Sequence, residues 1–207
     1  TQGQQHEVVR GIADVGLGVA RNVVEGDRCS DPRPLRAGER ACNRDNVDRV
    51  RCRDCRIAAN VHALARYAAL CQEAGIVPIV EPEVLMDGNH TLERCFDATE
   101  NTLHALFDEI HRQRVRCEHL VLKASMVISG KECAQQAGAQ QVADATVQCL
   151  KRTVPAAVPG IVFLSGGQSD EFATAHLNAM NAGGAGLPWP LSFSYGRALQ
   201  APALKAW

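Results

Sequence analysis

The sequence predicts an α/β protein made of repeated βα units on a parallel sheet, and three observations carry that prediction. Four short apolar runs, rich in β-branched residues, begin about 30 to 40 residues apart from residue 76 onward. Stretches with apolar residues at three- and four-residue spacing separate them, which is helical periodicity. Glycine, serine and proline stand at the junctions, where helices stop and start.

Each element follows from its residues. Val61, Leu64, Ala65, Ala68 and Cys71 mark a helix from about Asn60, and Gly75 closes it because glycine tolerates the left-handed stop. A strand is expected at 76–80, ending at Glu81-Pro82-Glu83. A second helix, about 91–113, has Leu92, Cys95, Phe96, Leu103, Leu106, Phe107 and Ile110 as its buried stripe. The next apolar run, 119–127, contains Lys123. A third helix, about 140–152, stops ahead of Pro155, since proline disfavours helical geometry in the residue before it. The strand 160–164 leads into Ser165-Gly166-Gly167-Gln168. Ser169 can then cap a helix whose first turn carries Asp170 and Glu171, favourable at the positive end of the dipole. After the glycine-rich turn 183–186, a last strand at 191–195 reaches Gly196-Arg197. Two architectures fit this order: a doubly wound open sheet, or half of a (β/α)8 barrel.

The 207 residues suit one domain with a sizeable core, yet composition breaks near residue 57. Residues 1–56 hold 11 of the 18 arginines, no lysine, and no Phe, Tyr, Trp or Met. From residue 28 to 56 neither helical nor strand periodicity is evident. A weakly ordered segment is therefore expected at 1–57, and the folded unit at 58–207. The excess of Arg, Asp, Gly and Cys in that segment matches what a shifted reading frame of a GC-rich gene would encode. Cys52-Arg53-Asp54-Cys55 is a lone CxxC, weak support for zinc without a second pair. Nine acidic residues interleave with the arginines, so a mixed, solvated segment is favoured over a nucleic-acid patch.

Whole-chain features narrow the class further. Net charge is −1, which gives no overall pull toward nucleic acid or an anionic membrane. No apolar run approaches the roughly 20 residues of a membrane helix, and no signal peptide is expected. Nine cysteines at irregular spacing argue for reduced thiols rather than a disulfide framework. The chain reads as a soluble, cytoplasmic protein, and its start at Thr1 and stop at Trp207 suggest a fragment.

The strand ends carry the chemistry. Lys123 is one of four lysines and the only one inside an apolar strand-like run. A buried ammonium is costly unless paired and tends to shed its proton, which makes a usable amine nucleophile for Schiff-base chemistry. Taken alone, a lysine whose stem snorkels to solvent is the favoured reading. Glu81 and Glu83 lie two apart, so on a strand they point the same way, and paired carboxylates suit proton shuttling. A solvated acidic strand end is the plainer alternative. The Ser165-Gly166-Gly167 turn ahead of a helix start exposes backbone N–H groups to an anion, although most Gly-Gly pairs are only turns. Ser194 and Gly196 close the last strand, and Arg197 adds a guanidinium fork that matches phosphate. Together they fit a phosphorylated carbonyl compound, and reactive groups at several strand ends favour the barrel.

These residues also carry a family resemblance. Val77-Pro78-Ile79-Val80-Glu81-Pro82-Glu83, Leu122-Lys123 with Met126-Val127, Phe163-Leu164-Ser165-Gly166-Gly167-Gln168-Ser169, and Phe193-Ser194-Tyr195-Gly196-Arg197-Ala198-Leu199-Gln200 occur in order. From about Asn60 to Trp207 the chain resembles class I fructose-bisphosphate aldolase. The resemblance implies the C-terminal half of a (β/α)8 TIM barrel, strands five to eight. It implies reversible cleavage of fructose 1,6-bisphosphate to dihydroxyacetone phosphate and glyceraldehyde 3-phosphate, in glycolysis and gluconeogenesis, without metal or cofactor.

By the same resemblance Lys123 forms the Schiff base, Glu81 is the acid/base of imine formation and dehydration, and Glu83 supports it. Ser165, Gly166, Gly196 and Arg197 match phosphate-binding positions, with Ser194 in the same loop. The implied partner is a sugar phosphate, with no nucleic acid or membrane, and the intact family implies a homo-oligomer. Ala124 departs from the family's proline after the lysine, and is expected to loosen the strand end. The family's earlier strands supply an aspartate and two further lysines that no part of residues 1–57 matches. Two other readings follow: a non-catalytic remnant acting at most as a binding or assembly module, or another Schiff-base lyase such as a deoxyribose-phosphate aldolase or transaldolase.

Overall fold

The structure is a computed structural model that describes residues 21–24, 46–183 and 186–207, with side chains from Cys55 onward other than that of Arg197. The elements are β1 (Arg21–Val24), α1 (Asn46–Glu73), β2 (Ile79–Val84), α2 (Leu92–Arg112), β3 (Val121–Ala124), α3 (Ala139–Thr153), β4 (Ile161–Phe163), α4 (Asp170–Ala182), β5 (Leu191–Phe193) and α5 (Arg197–Ala206). A short 3-10 turn, Cys117–His119, precedes β3. All strand pairs are parallel, in the order β1-β2-β3-β4-β5.

That order separates the two architectures the pattern left open. A doubly wound sheet reverses strand order at a switch point and carries helices on both faces. Here spatial order equals chain order, and the helices pack in succession: α1 on α2, α2 on α3, α3 on α4. This is the wall of a singly wound barrel. Its core lies between helices and strands, where Leu64, Leu103, Leu106, Leu122, Leu150 and Phe163 are all but sealed from solvent. In α2 the apolar stripe is interrupted by Thr99 and Thr102. Both are buried because their hydroxyls donate back to Cys95 O (2.8 Å) and Ala98 O (2.7 Å), so no polar group is left unmet. Leu92 and Phe96 sit only half buried at its edge.

One expectation needs correction. The first strand was placed at 76–80, but β2 begins at Ile79 and runs through Glu81-Pro82-Glu83. Gly75, at φ +72°, ends α1 in a Schellman turn: Ile76 N donates to Cys71 O (2.8 Å) and Gly75 N to Gln72 O (3.0 Å). Ile76 is thus committed to the helix stop, and it and Val77 remain exposed. Pro82 is tolerated because β2 pairs with β3 only at Ile79 and Val80, so the missing N–H falls beyond that ladder.

Within the segment 1–57, the structure describes only residues 21–24 and 46–57. Residues 21–24 form β1, in register with 81–84 of β2, and α1 begins at Asn46. The physical reason is visible in the sequence: no glycine or proline interrupts residues 39–74, and arginine is a good helix former. Residues 1–20 and 25–45 lie outside the described residues. A helix that the apolar pattern did not mark, α5, follows Gly196 and accommodates Pro202 in its second turn.

Candidate active site

Lys123 sits in β3, whose four residues are all buried. The ladder pairs Ile79 with Val121 and Val80 with Leu122, and one step further it sets Glu81 beside Lys123. Lys123 Nζ lies 3.3 Å from Glu81 Oε1, with the lysine side chain 8% exposed and the glutamate fully buried. Snorkelling to solvent is therefore ruled out by geometry. The lysine meets a carboxylate inside the protein, which is how a buried charge is tolerated.

Beyond the pair, the strand ends open on a cavity of about 640 Å³ lined by residues at and after the carboxyl ends of β2, β3, β4 and β5. Lys123, Glu83, Ser165, Gly166, Ser194 and Gly196 all line it. Of the expected site residues, Glu81 does not reach the cavity wall and belongs to it only through Lys123. The side chain of Arg197 lies outside the described residues, although its backbone opens α5 beside Gly196. Glu81 and Glu83 are both within β2 rather than at its end, and their settings differ: one is sealed against the lysine, the other faces the cavity.

The strand end at Ala124, where loosening is expected, is tied to both neighbouring strands. Ala124 O accepts from Leu164 N (3.1 Å), and Ser125 Oγ bridges to β2, accepting from Val84 N (3.1 Å) and donating to Val84 O (3.3 Å). One hydroxyl thus clamps the ends of two strands next to Lys123.

The Ser-Gly-Gly turn requires its glycines. Gly166 and Gly167 have φ of +63° and +87°, which disfavours side chains. A Cβ on Gly166 would also press on Leu164 Cδ1 at 3.1 Å and Met86 Sδ at 3.3 Å. Gln168 braces the turn from below, its Nε2 donating to Ser165 O (3.1 Å). Its Oε1 then accepts from His176 Nδ1 at 2.7 Å, and burial pushes the His176 imidazole below its ordinary proton affinity. The turn runs into α4, capped by Ser169 accepting from Phe172 N (3.3 Å). Ser194 N donates to Phe163 O (2.9 Å), holding the loop before α5 against β4. Two helix starts therefore face one cavity, a ready place for an anion.

Several lining residues were not singled out from sequence. Lys131 and Asp87 stand at the mouth, Nζ 3.1 Å from Oδ1, on the loops after β3 and β2. Tyr195 lines the cavity too, and burial, then the Asp170 carboxylate, raise its phenol above the ordinary value. A signal existed for Lys131, since it is the second lysine of four and follows a glycine soon after the Lys123 strand. No group of three or more His, Cys, Asp or Glu side chains placed to hold a metal occurs among the described residues. No described helix is long and apolar enough to cross a membrane.

A singly wound α/β wall with a buried amine, its carboxylate and a glycine turn at the strand carboxyl ends defines a barrel-type enzyme site. Comparison with known proteins specifies which. The sequence model described as "Fructose-bisphosphate aldolase class-I" matches residues 45–207. The chain is 65% identical over 151 residues to "Probable fructose-bisphosphate aldolase class 1" of Xanthomonas campestris, covering 73% of this chain and 45% of that protein. It is 56% identical to "Fructose-bisphosphate aldolase B" of Homo sapiens, covering 73% of this chain and 42% of that protein. A solved structure of fructose-bisphosphate aldolase from Plasmodium falciparum, in complex with TRAP and a small-molecule inhibitor, superposes with a TM-score of 0.72 at 48% identity. That match covers 74% of this chain and 44% of the other.

The chain belongs to the class I fructose-bisphosphate aldolase family. It spans less than half the length of the relatives it matches, and its fold is the corresponding part of the aldolase barrel.

Proposed function

We propose that this chain carries the imine-forming and phosphate-holding part of a class I fructose-bisphosphate aldolase site, acting in the cytoplasmic reactions of glycolysis and gluconeogenesis. The observation that carries the reading is Lys123 Nζ, buried 3.3 Å from Glu81 and opening on a cavity shared with the Ser165 turn. Lys123, having passed a proton to Glu81, adds to the C2 carbonyl of the sugar phosphate, and Glu81 returns and removes protons as the carbinolamine loses water. Glu83, at the cavity wall, supports that exchange. The iminium then accepts the electron pair of the breaking C3–C4 bond. Glyceraldehyde 3-phosphate leaves as the C4 hydroxyl loses its proton, and hydrolysis of the remaining enamine, through its iminium, returns dihydroxyacetone phosphate and the free amine. Ser165, Gly166, Ser194, Gly196 and Arg197 are proposed to hold the phosphate. The intact assembly is proposed to be a homo-oligomer with no metal or cofactor.

A second reading has its own support: residues 1–57 contain no lysine, so the further lysines of the family's site have no counterpart there. In that reading the chain is a remnant that forms no imine and at most binds or assembles. Incubation with dihydroxyacetone phosphate, borohydride reduction and peptide mapping distinguishes them. An adduct on Lys123 is expected, and failure to trap one favours the remnant.

A further inference from the structure

We infer that Lys131 is a second phosphate cation of this cavity, one that exchanges the Asp87 carboxylate for a phosphate-monoester oxygen held at the Ser165 turn. The inference rests on the cavity being a phosphorylated-carbonyl site. It begins with position: a Cβ built on Gly167 would meet Lys131 Nζ at 3.0 Å and Cε at 3.4 Å. The ammonium thus stands over the open face of the glycine turn, in space that any side chain at 167 would take.

The loop that carries Lys131 is fixed independently of the ammonium. Lys131 N donates to Met86 O, Gly130 N to His90 O and Glu132 N to Gly88 O, each at 2.9 Å. Gly130 is packed so tightly that a Cβ there would fall 2.3 Å from Gly88 O. Only the flexible four-carbon stem has to move for Nζ to change partner.

Charge supplies the reason to move. Among the described side chains lining the cavity, Glu83, Asp87 and Asp170 are acids and Lys123 and Lys131 are bases. Lys123 is committed to the Glu81 carboxylate at 3.3 Å, so Lys131 is the described cation left to meet an incoming dianion. Its present partner is weakly held: the pair is roughly half exposed on both sides, 46% and 44%, and solvent screens such contacts. A phosphate dianion brings more charge and three acceptor oxygens. Asp87 is then a competitor for the cation rather than a strut.

That makes opposite predictions for the two halves of one ion pair. In titrations of the full chain with inorganic phosphate at low salt, Lys131→Met should weaken binding about fivefold, the size of one exposed charge contact. Asp87→Asn should tighten binding about two- to threefold, by freeing the ammonium and removing a like charge. A purely structural pair would move both variants in the same direction or neither, and either result, or no phosphate binding by the parent chain, overturns the inference. Borohydride trapping separates this from the imine reading. Lys131→Met should raise the half-saturating concentration of dihydroxyacetone phosphate but not of dihydroxyacetone. Trapping on Lys123 that is indifferent to Lys131 overturns the inference and leaves the imine. Absence of trapping, with the opposed phosphate responses intact, removes the imine and leaves Lys131.

Discussion

Replacing Lys123 with methionine tests the ion pair as a structural fact, separately from catalysis. Methionine fills nearly the same volume and keeps the apolar stem, so the change isolates the ammonium. It leaves a fully buried Glu81 carboxylate without the cation 3.3 Å away. Breaking such a buried pair from one side costs about 3 to 5 kcal/mol, because the remaining charge stays desolvated. For a chain of this size that corresponds to a fall in Tm of about 6 to 20 °C. Adding Glu81→Gln removes the charge, and the double variant should regain about 1 to 3 kcal/mol relative to the sum of the single changes. Urea unfolding of the parent, both single variants and the double variant closes the cycle. Additive effects would refute the claim that Lys123 and Glu81 depend on each other, and a Lys123→Met chain as stable as the parent would refute its premise.

Two further expectations follow from particular contacts. Gly130→Ala drives a Cβ to within 2.3 Å of the Gly88 carbonyl, so the loop pair at the cavity mouth has to separate. A stability loss of about 1 to 3 kcal/mol, with weaker phosphate binding, should appear in denaturant titration and calorimetry. His176 is held neutral by burial, with its folded proton affinity below the ordinary value of 6.5. Its contribution to stability is therefore full above that value and is lost as pH falls below it. Unfolding free energy measured between pH 7.5 and 5 should decline more steeply in the parent than in His176→Gln, and parallel profiles would contradict the assignment.

How much was legible before the structure depends on the range of the interaction. α2, α3 and α4 follow from apolar spacing, and α4 also from its Ser169 cap, because these are contacts within a few residues of chain. The buried strand of Lys123 and the glycine demand at 166 and 167 are equally local, since backbone geometry at a turn is a property of the residues in it. The family motifs lie in these same segments.

What escaped had a distant cause. Ile76 looks like the start of a strand until the Gly75 stop binds its N–H back to Cys71, and the real β2 then begins three residues on. Whether the sheet is singly or doubly wound depends on which neighbour each strand finds, which no single βα unit encodes. The buried partner of Lys123 is chosen by the register between β2 and β3, elements some forty residues apart, and Lys131 reaches the glycine turn only because the β2 and β3 loops latch to each other. Periodicity and turn chemistry write the elements into the chain. The meeting of amine, carboxylate and second cation arises from cross-strand pairing, where side chains remote in sequence are brought within a few ångströms and lose the water that would have kept them apart.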